Sequence, residues 1–455
     1  MLIKRLYENL IHTLIIRHLF QWIIWIIYPV QWLRKKYWQI LSLFLRNIII
    51  GGFIALLILV LHHSAWLQEM ENFAMDSMMQ LNQSLPRISA TTQGLAFTLL
   101  DIDEQSYRDW GEPFYTPRDK LLSLIRLAVK QQAKLILVDI DISHAGHNPD
   151  ADAKLQRFLQ QYNENPPLVL LRSFYPDIPN LPQDTTMSQF RPLFFNPDLV
   201  GSGVFWAHPL FKKNKHDQLI YYWHLLKAGC ENSKASLLPS YQLISHALLH
   251  EQQESLADAL KQVTPKDCQS QPPTVLTYDD KTLELSSHNI GERIIYTLTG
   301  KQDSEEFKRL PARSLLSCLK NPCANDAIKD RVVVIAGNYA DARDHHLTPL
   351  GVLSGGVIII NAVKSFYMFG QIGPPPLWLQ LLLEIILIVC MAWLFSRFSS
   401  TVATFIVGIV IVIILIPMSF YFFKFGIWID FALPILAMQF YQMIAQHEED
   451  LRKSL

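Results

Sequence analysis

Four apolar blocks stand out along the chain, one early and three late, on either side of a long stretch in which short apolar runs alternate with polar segments. Residues 40–61 are apolar apart from Arg46 and Asn47. Residues 377–395 carry a single charge, Glu384; residues 401–423 are interrupted by Pro417; residues 427–444 hold Asp430 near their start and Pro434 inside. A helix needs about 20 apolar residues to cross the hydrocarbon of a bilayer, so each block predicts a transmembrane helix. Gly373-Pro374-Pro375-Pro376 closes the middle region, and short turns join the last three spans.

Basic residues orient these spans. Lys4, Arg5, Arg17, Arg34, Lys35, Lys36 and Arg46 precede or open the first; Arg397 lies between the second and third; Arg452 and Lys453 follow the fourth. Only Lys424 lies in the opposite short loop. Lysine and arginine collect on the cytoplasmic side, so both ends are expected in the cytoplasm and residues 62–376 outside, in the periplasm of a bacterial inner membrane. The apolar run near residues 19–30 is too short to span. With Trp22, Trp25, Trp32 and Trp38 around it, segment 1–39 is expected to be an amphipathic helix at the membrane interface. Residues 445–455 form a cytoplasmic tail.

Within 62–376 the pattern is α/β. Trp66, Met70, Phe73, Met75, Met78 and Met79 have helical spacing and extend the first span as a stalk. Residues 95–100 are a short apolar run ending in Asp101-Ile102-Asp103. Pro117 opens a helical pattern through Leu121, Leu122, Leu124, Ile125, Leu127 and Ala128, and a second run, 135–138, ends in Asp139-Ile140-Asp141. Strand, helix and strand in this space predict a βαβ unit with a parallel pair. Residues 331–336 are a continuous β-branched run, the mark of a strand covered on both faces. Gly355-Gly356 then open a helix over 357–369. Between them, 168–172, 204–206, 219–222 and 294–297 read as strands and 240–262 as a helix. The expected fold is thus an α/β domain with a largely parallel sheet, plus one N-terminal and three C-terminal transmembrane helices.

Composition narrows the class. Charged residues are 18% and hydrophobic ones 50%, with 40 basic against 40 acidic side chains. Zero net charge argues against nucleic acid as a partner, and the shortage of charge points to the lipid bilayer. Cys230, Cys268, Cys318 and Cys323 lie in the outer domain, where an oxidising compartment favours disulfides. Three pairings are open; Cys230–Cys268 and Cys318–Cys323 are preferred, with free buried thiols as the alternative.

Asp101-Ile102-Asp103-Glu104-Gln105-Ser106, followed by Trp110-Gly111 and Pro117-Arg118, resembles the opening signature of the type-2 CHASE domain, an extracellular sensory domain associated with cyclases and histidine kinases. Residues 135–141 resemble its next strand. Residues 332–337, with Asp344, Thr348-Pro349-Leu350-Gly351 and Gly356-Val357, resemble its closing segment. Family members place this domain after one span and before three, similar to the arrangement read above. The resemblance covers most of 40–445 and is densest at 97–141 and 331–370. It implies a sensory fold. Two departures stand out. Ile360-Asn361 replace the family's usual His-Ala pair, so no role of that histidine carries over. Family proteins usually continue into an output enzyme, whereas this sequence stops at Leu455, so output is expected from a separate partner.

The chemistry candidates gather at strand ends, where parallel sheets bind ligands. Asp101, Asp103, Asp139 and Asp141 end two strands expected to be neighbours, and Asp344 follows a third. Converging carboxylates suit a cation, an amine or hydroxyls; Asp equally caps strand ends and turns. Arg118 is a bidentate donor placed in a first helical turn, where its charge opposes the helix dipole, which calls for an acidic partner or an anionic ligand. Ser106 and Thr348 complete the ligand-binding candidates; Ser106 also suits helix capping. His144, His147, His345 and His346 do not form a recognisable metal set, no cofactor motif is present, and no catalytic motif is present, so no enzyme activity is expected. Glu384, a carboxylate in hydrocarbon, calls for a partner, a cavity or an outward snorkel.

The expected function is an inner-membrane sensor in signal transduction. Its periplasmic domain binds a small molecule or protein and signals through a membrane or cytoplasmic protein partner, alone or as a homo-oligomer. The alternative is a structural docking subunit of an envelope protein complex. Reporter fusions test the topology. A fusion at Ala90 is expected to be active only for a reporter that needs export, and one at Leu455 only for a reporter that needs the cytoplasm; the reverse pattern removes the orientation.

Overall fold

The computed structural model describes residues 43–61, 65–84, 94–163, 165–175, 188–214, 217–231, 234–279, 281–285, 290–300, 303–318, 327–373, 375–423, 427–429 and 432–453. The expected interfacial helix within 1–39 lies outside the described residues, as does the expected Cys318–Cys323 pairing. The chain divides into two compact units: one of Met1–Ala74, Pro375–Tyr421 and Ile429–Leu455, the other of Met75–Pro374 and Phe422–Trp428. The first described helices are α1 (Leu43–Leu61) and α2 (Ala65–Ser84).

The second unit is built on six parallel strands: β1 (Phe97–Ile102), β2 (Leu135–Asp139), β3 (Leu168–Leu171), β4 (Val204–Ala207), β5 (Phe307–Pro311) and β6 (Val332–Gly337). Their spatial order is β5-β1-β6-β2-β3-β4. The expected parallel sheet is therefore present, with one correction. β1 and β2 do not pair; β6 lies between them and pairs with both. Every residue of β1 and β6 is buried, Thr98 and Asp101 of β1 included.

Helices cover both faces. α3 (Glu104–Asp109) follows β1 directly. α4 (Arg118–Lys130) and α5 (Pro149–Gln161) pack Leu121, Leu124, Ile125, Leu155 and Leu159 against Leu100, Ile136, Val138, Leu168, Val333 and Ile335. α5 starts as its sequence dictates: the Asn148 side chain accepts from the amides of Asp150 and Ala151, Pro149 occupies the first turn, and Asp150 and Asp152 favour the positive helix end. The helix expected over 240–262 is two helices, α6 (Tyr241–Leu249) and α7 (Gln253–Val263), because Glu251 between them has φ 59°. α8 (Ala312–Cys318) follows β5.

α9 (Gly355–Phe369) covers the opposite face of the sheet. It explains the segment expected to be a strand at 294–297, which joins no ladder. Asn361 accepts from the amides of Thr297 and Leu298 at 2.8 and 2.9 Å, and donates to the carbonyls of Leu298 and Val357, each at 2.9 Å. Ser365 accepts from the Ile295 amide at 3.1 Å. The helix's side chains thus replace a neighbouring strand. Elsewhere in this unit the strand Leu226–Glu231 pairs with Lys234–Pro239, and Cys230 is bonded to Cys268, one of the two preferred disulfides.

The other unit gathers α1 with α10 (Leu377–Arg397), α11 (Ser400–Val410) and α13 (Ala432–Lys453). α10 approaches α1 closely: a Cβ on Gly51 would lie 2.9 Å from Ile388 Cγ2, the small-residue packing common between membrane helices. Asn47 donates to Ala392 O at 3.4 Å, and Tyr441 Oη donates to Asn47 O at 2.8 Å. α11 continues through a π turn, Ile411–Leu415, into α12 (Ile416–Phe423). The turn ends two residues before Pro417, which has no amide to give to a carbonyl one turn back. Glu384 is exposed on α10, outside the apolar core of this unit.

By length and apolarity, two described helices suffice to cross a membrane, Trp378–Arg397 and Ser400–Phe423, rather than the four expected. Only 17% of each apolar window is buried, unlike a helix sealed inside a protein core. The apolar part of α1 is shorter, Leu43–Ile58, and α13 runs into His447, Glu448, Glu449 and Asp450.

Asn361→Ala leaves two amides and a carbonyl unpaired in the interior. It is expected to cost about 3 kcal/mol or more, read as a drop of several degrees in the thermal unfolding of the purified chain.

Candidate functional site

All six strands of the sheet run the same way, so their carboxyl ends form one edge. Register places Asp101 of β1, Ala336 of β6 and Asp139 of β2 side by side. Strands are about 4.8 Å apart, so the two aspartates stand about 10 Å apart on one face, with Ala336 between. The start of α9 lies over this face. A Cβ on Gly356 would come within 2.7 Å of Ala336 Cβ and 3.1 Å of Leu99 Cδ1. Only glycine lets the helix begin so close to the sheet.

Asp344 is brought to the same place from the loop after β6. Its carbonyl accepts from the Gly355 amide at 2.9 Å, and its carboxylate packs where a Gly355 side chain would stand. His346 Nε2 lies 3.0 Å from Asp344 Oδ1. Asp344 is thus a negative charge at a helix N-terminus, a favourable placement.

The aspartates divide by partner. Asp101 is buried, and Arg309 of β5 reaches its Oδ2 with Nη2 at 2.6 Å and Nε at 2.7 Å. Burial outweighs this pairing and raises its pKa. Its Oδ1 is buried without a hydrogen-bond partner. Asp141 accepts from the amide and hydroxyl of Ser143 and meets Arg191 Nη1 at 3.1 Å. Burial pulls its pKa up, but these partners hold it below the usual carboxylate range. Asp139 differs from both. Among the described residues no hydrogen bond reaches its carboxylate, which is half-buried. Burial first, then the negative charges of Asp344 and Asp141, push its pKa up to about 8. Tyr241 stands near, its hydroxyl donating to Val138 O.

The remaining candidates are engaged locally. Asp103 is the N-cap of α3, accepting from the Ser106 amide at 2.8 Å. Ser106 Oγ donates to Asp103 and accepts from the Arg313 amide at 3.1 Å. Arg118, 2% exposed, donates to His144 O at 2.8 Å and lies 3.6 Å from Asp152, so its acidic partner belongs to α5 and not to a strand end. Thr348 donates to Gly351 O at 2.7 Å inside the hairpin His345–Thr348/Gly351–Ser354. Among the described residues no three His, Cys, Asp or Glu side chains are arranged to hold a metal ion. Arg309, Arg191 and Tyr241 were not among the sequence candidates. Their signal is weak, because each meets its aspartate only through non-local strand pairing.

The edge therefore holds a carboxyl without a partner, Asp139, beside an anion held at a helix start, Asp344. It suits a ligand that brings hydrogen-bond donors or positive charge.

The raised pKa of Asp139 has a definite sign for stability. Between the unfolded value of 3.8 and about 8 the folded state holds a proton that the unfolded state has lost, so stability falls as pH rises through this window. Asp139→Asn removes that loss. The Tm of this variant relative to the parent is expected to climb from pH 5 to pH 8 and to level off above. A difference that stays flat with pH removes the raised pKa.

No curated protein matches this chain, and no solved structure does. A family profile does: the CHASE2 domain matches residues 53–396, well over half the sequence, and spans the six-stranded sheet with the edge just described. The chain belongs to the CHASE2 family, a family of extracellular sensory domains.

Proposed function

We propose that this protein is a sensor of the bacterial inner membrane, whose sheet-bearing domain lies in the periplasm and binds a small polar molecule at the carboxyl edge of its sheet. α1, α10, the α11–α12 segment and α13 serve as four membrane crossings in this reading, and the bound state is passed to a separate protein partner. Basic residues concentrated at the expected cytoplasmic turns and ends support the orientation. The CHASE2 match supports the sensory role. The observation that carries the binding reading is Asp139, a carboxyl at a strand end with no hydrogen-bond partner among the described residues, between the charges of Asp141 and Asp344. A half-buried carboxyl with no protein partner has its acceptor sites open to a ligand's donors. Signalling then requires only that the ligand bind two states of the domain unequally.

The test is thermal unfolding of the detergent-purified full chain against a panel of amino acids, polyamines and sugars. At about ten times its Kd a ligand adds about 1.4 kcal/mol, which raises Tm by about 2–4 °C in a domain of this size. At least one compound is expected to do so, and Asp139→Asn and Asp344→Asn are each expected to abolish the shift. A shift that survives both substitutions removes the edge as the binding site. Stoichiometric co-purifying proteins with no small-molecule response favour a docking subunit instead.

A further inference from the structure

A second group of polar side chains lies in the same unit, on and around α6. Four side chains there, each at most 1% exposed, carry a buried polar atom without a hydrogen-bond partner: Trp223 Nε1, Gln242 Oε1, Ser245 Oγ and Glu292 Oε2. Short links tie them together. Tyr222 bridges Arg293 in antiparallel fashion, so the residues next to them in the chain, Trp223 and Glu292, lie on neighbouring segments. His224 Nδ1 lies 3.5 Å from Glu292 Oε1, and the His224 carbonyl accepts from Gln242 Nε2 at 3.4 Å. Gln242 and Ser245 are three residues apart on α6 and so share a helix face. The Trp223 ring packs edge-on against Phe366 of α9, with centroids 6.0 Å apart.

A single orphan atom is commonly met by a buried water. Four together, one of them on a carboxylate, ask for more. Glu292 is enclosed, and its neighbour Arg293 is committed to Asp76. Its other contact, His224, is long for a hydrogen bond. A buried carboxylate whose nearest basic group is an imidazole 3.5 Å away is costly, and water does not neutralise it. The unmet atoms define what does. Glu292 Oε2, Gln242 Oε1 and Ser245 Oγ are three acceptors, and a primary ammonium group has three donors. Trp223 Nε1 is a donor left for an acceptor on the same ligand.

We propose that this cluster binds a small primary amine that also carries a hydrogen-bond acceptor, of the size and chemistry of a short amino acid. The ammonium is held by Glu292, Gln242 and Ser245, and the acceptor by the indole N–H. Complete enclosure limits the ligand to a few heavy atoms and requires α6 or the Glu292 segment to open for entry. This goes beyond the strand-end reading and shares no residue with it, so either can fail alone.

The experiment is isothermal titration of the full chain in detergent with glycine, methylamine and acetate as probes. Glycine is expected to bind, methylamine to bind more weakly, and acetate not at all. Glu292→Gln keeps the shape and removes the charge; it is expected to weaken glycine by tenfold or more, about 1.4 kcal/mol. Ser245→Ala removes one polar atom with little change of volume, Trp223→Phe removes the indole N–H together with part of the ring, and each is expected to weaken glycine severalfold. Circular dichroism confirms that each variant is folded, and Ser245→Ala gives a reading if Glu292→Gln is not. Absence of glycine and methylamine binding to the parent overturns the proposal, as does equal binding by the parent and folded Ser245→Ala and Trp223→Phe.

Discussion

β6 arrives late in the chain yet takes the centre of the sheet, hydrogen-bonded to β1 on one side and β2 on the other. That insertion sets the geometry of the candidate site. Without it Asp101 and Asp139 would end adjacent strands, and two buried carboxylates about 5 Å apart would compete for one proton. With it they are separated by Ala336, whose small side chain leaves room for the start of α9. The loop leaving β6 then delivers Asp344 to the helix start. Spacing of the acids, approach of the helix and placement of the third carboxylate all follow from one strand pairing. It is bought with a long loop closure, since β6 lies far in sequence from both partners.

The sequence reads well where structure is decided locally. β1, β2 and β6 are built on short apolar runs, Pro117 precedes α4, and the helical spacing of the stalk is α2. It reads poorly where partners are distant. β5, Phe-Lys-Arg-Leu-Pro, is an edge strand with two charges and gives no apolar run, so it was not expected, and neither was Arg309 on Asp101. Residues 294–297 have the composition of a strand, but the amides of Ile295 and Thr297 are claimed by Ser365 and Asn361. Asn361, which stands at the second position of the family's His-Ala pair, is therefore a structural anchor in this chain.

The candidate aspartates show the same division. Asp103 and Asp141 each sit two or three residues from a serine that takes up their hydrogen bonds, a local motif visible in the sequence. Asp139 has no such neighbour, and only the fold shows that nothing else meets it. Arg118 was legible as a residue in need of an acid; which acid it found, Asp152, depended on how α5 packs beside α4.

The hairpin that follows Asp344 is held from a second direction. Gln80, near the end of α2, donates to Pro349 O at its tip at 3.1 Å, and one turn earlier Asp76 is paired with Arg293. Met75, Met78 and Met79 bury the same stretch of helix. The loop carrying Asp344 and the outer turns of α2 are consequently one mechanical piece. If His346 and its neighbours shift to admit an occupant, the strain falls on the Gln80 contact, and the helix must either follow the hairpin or release it.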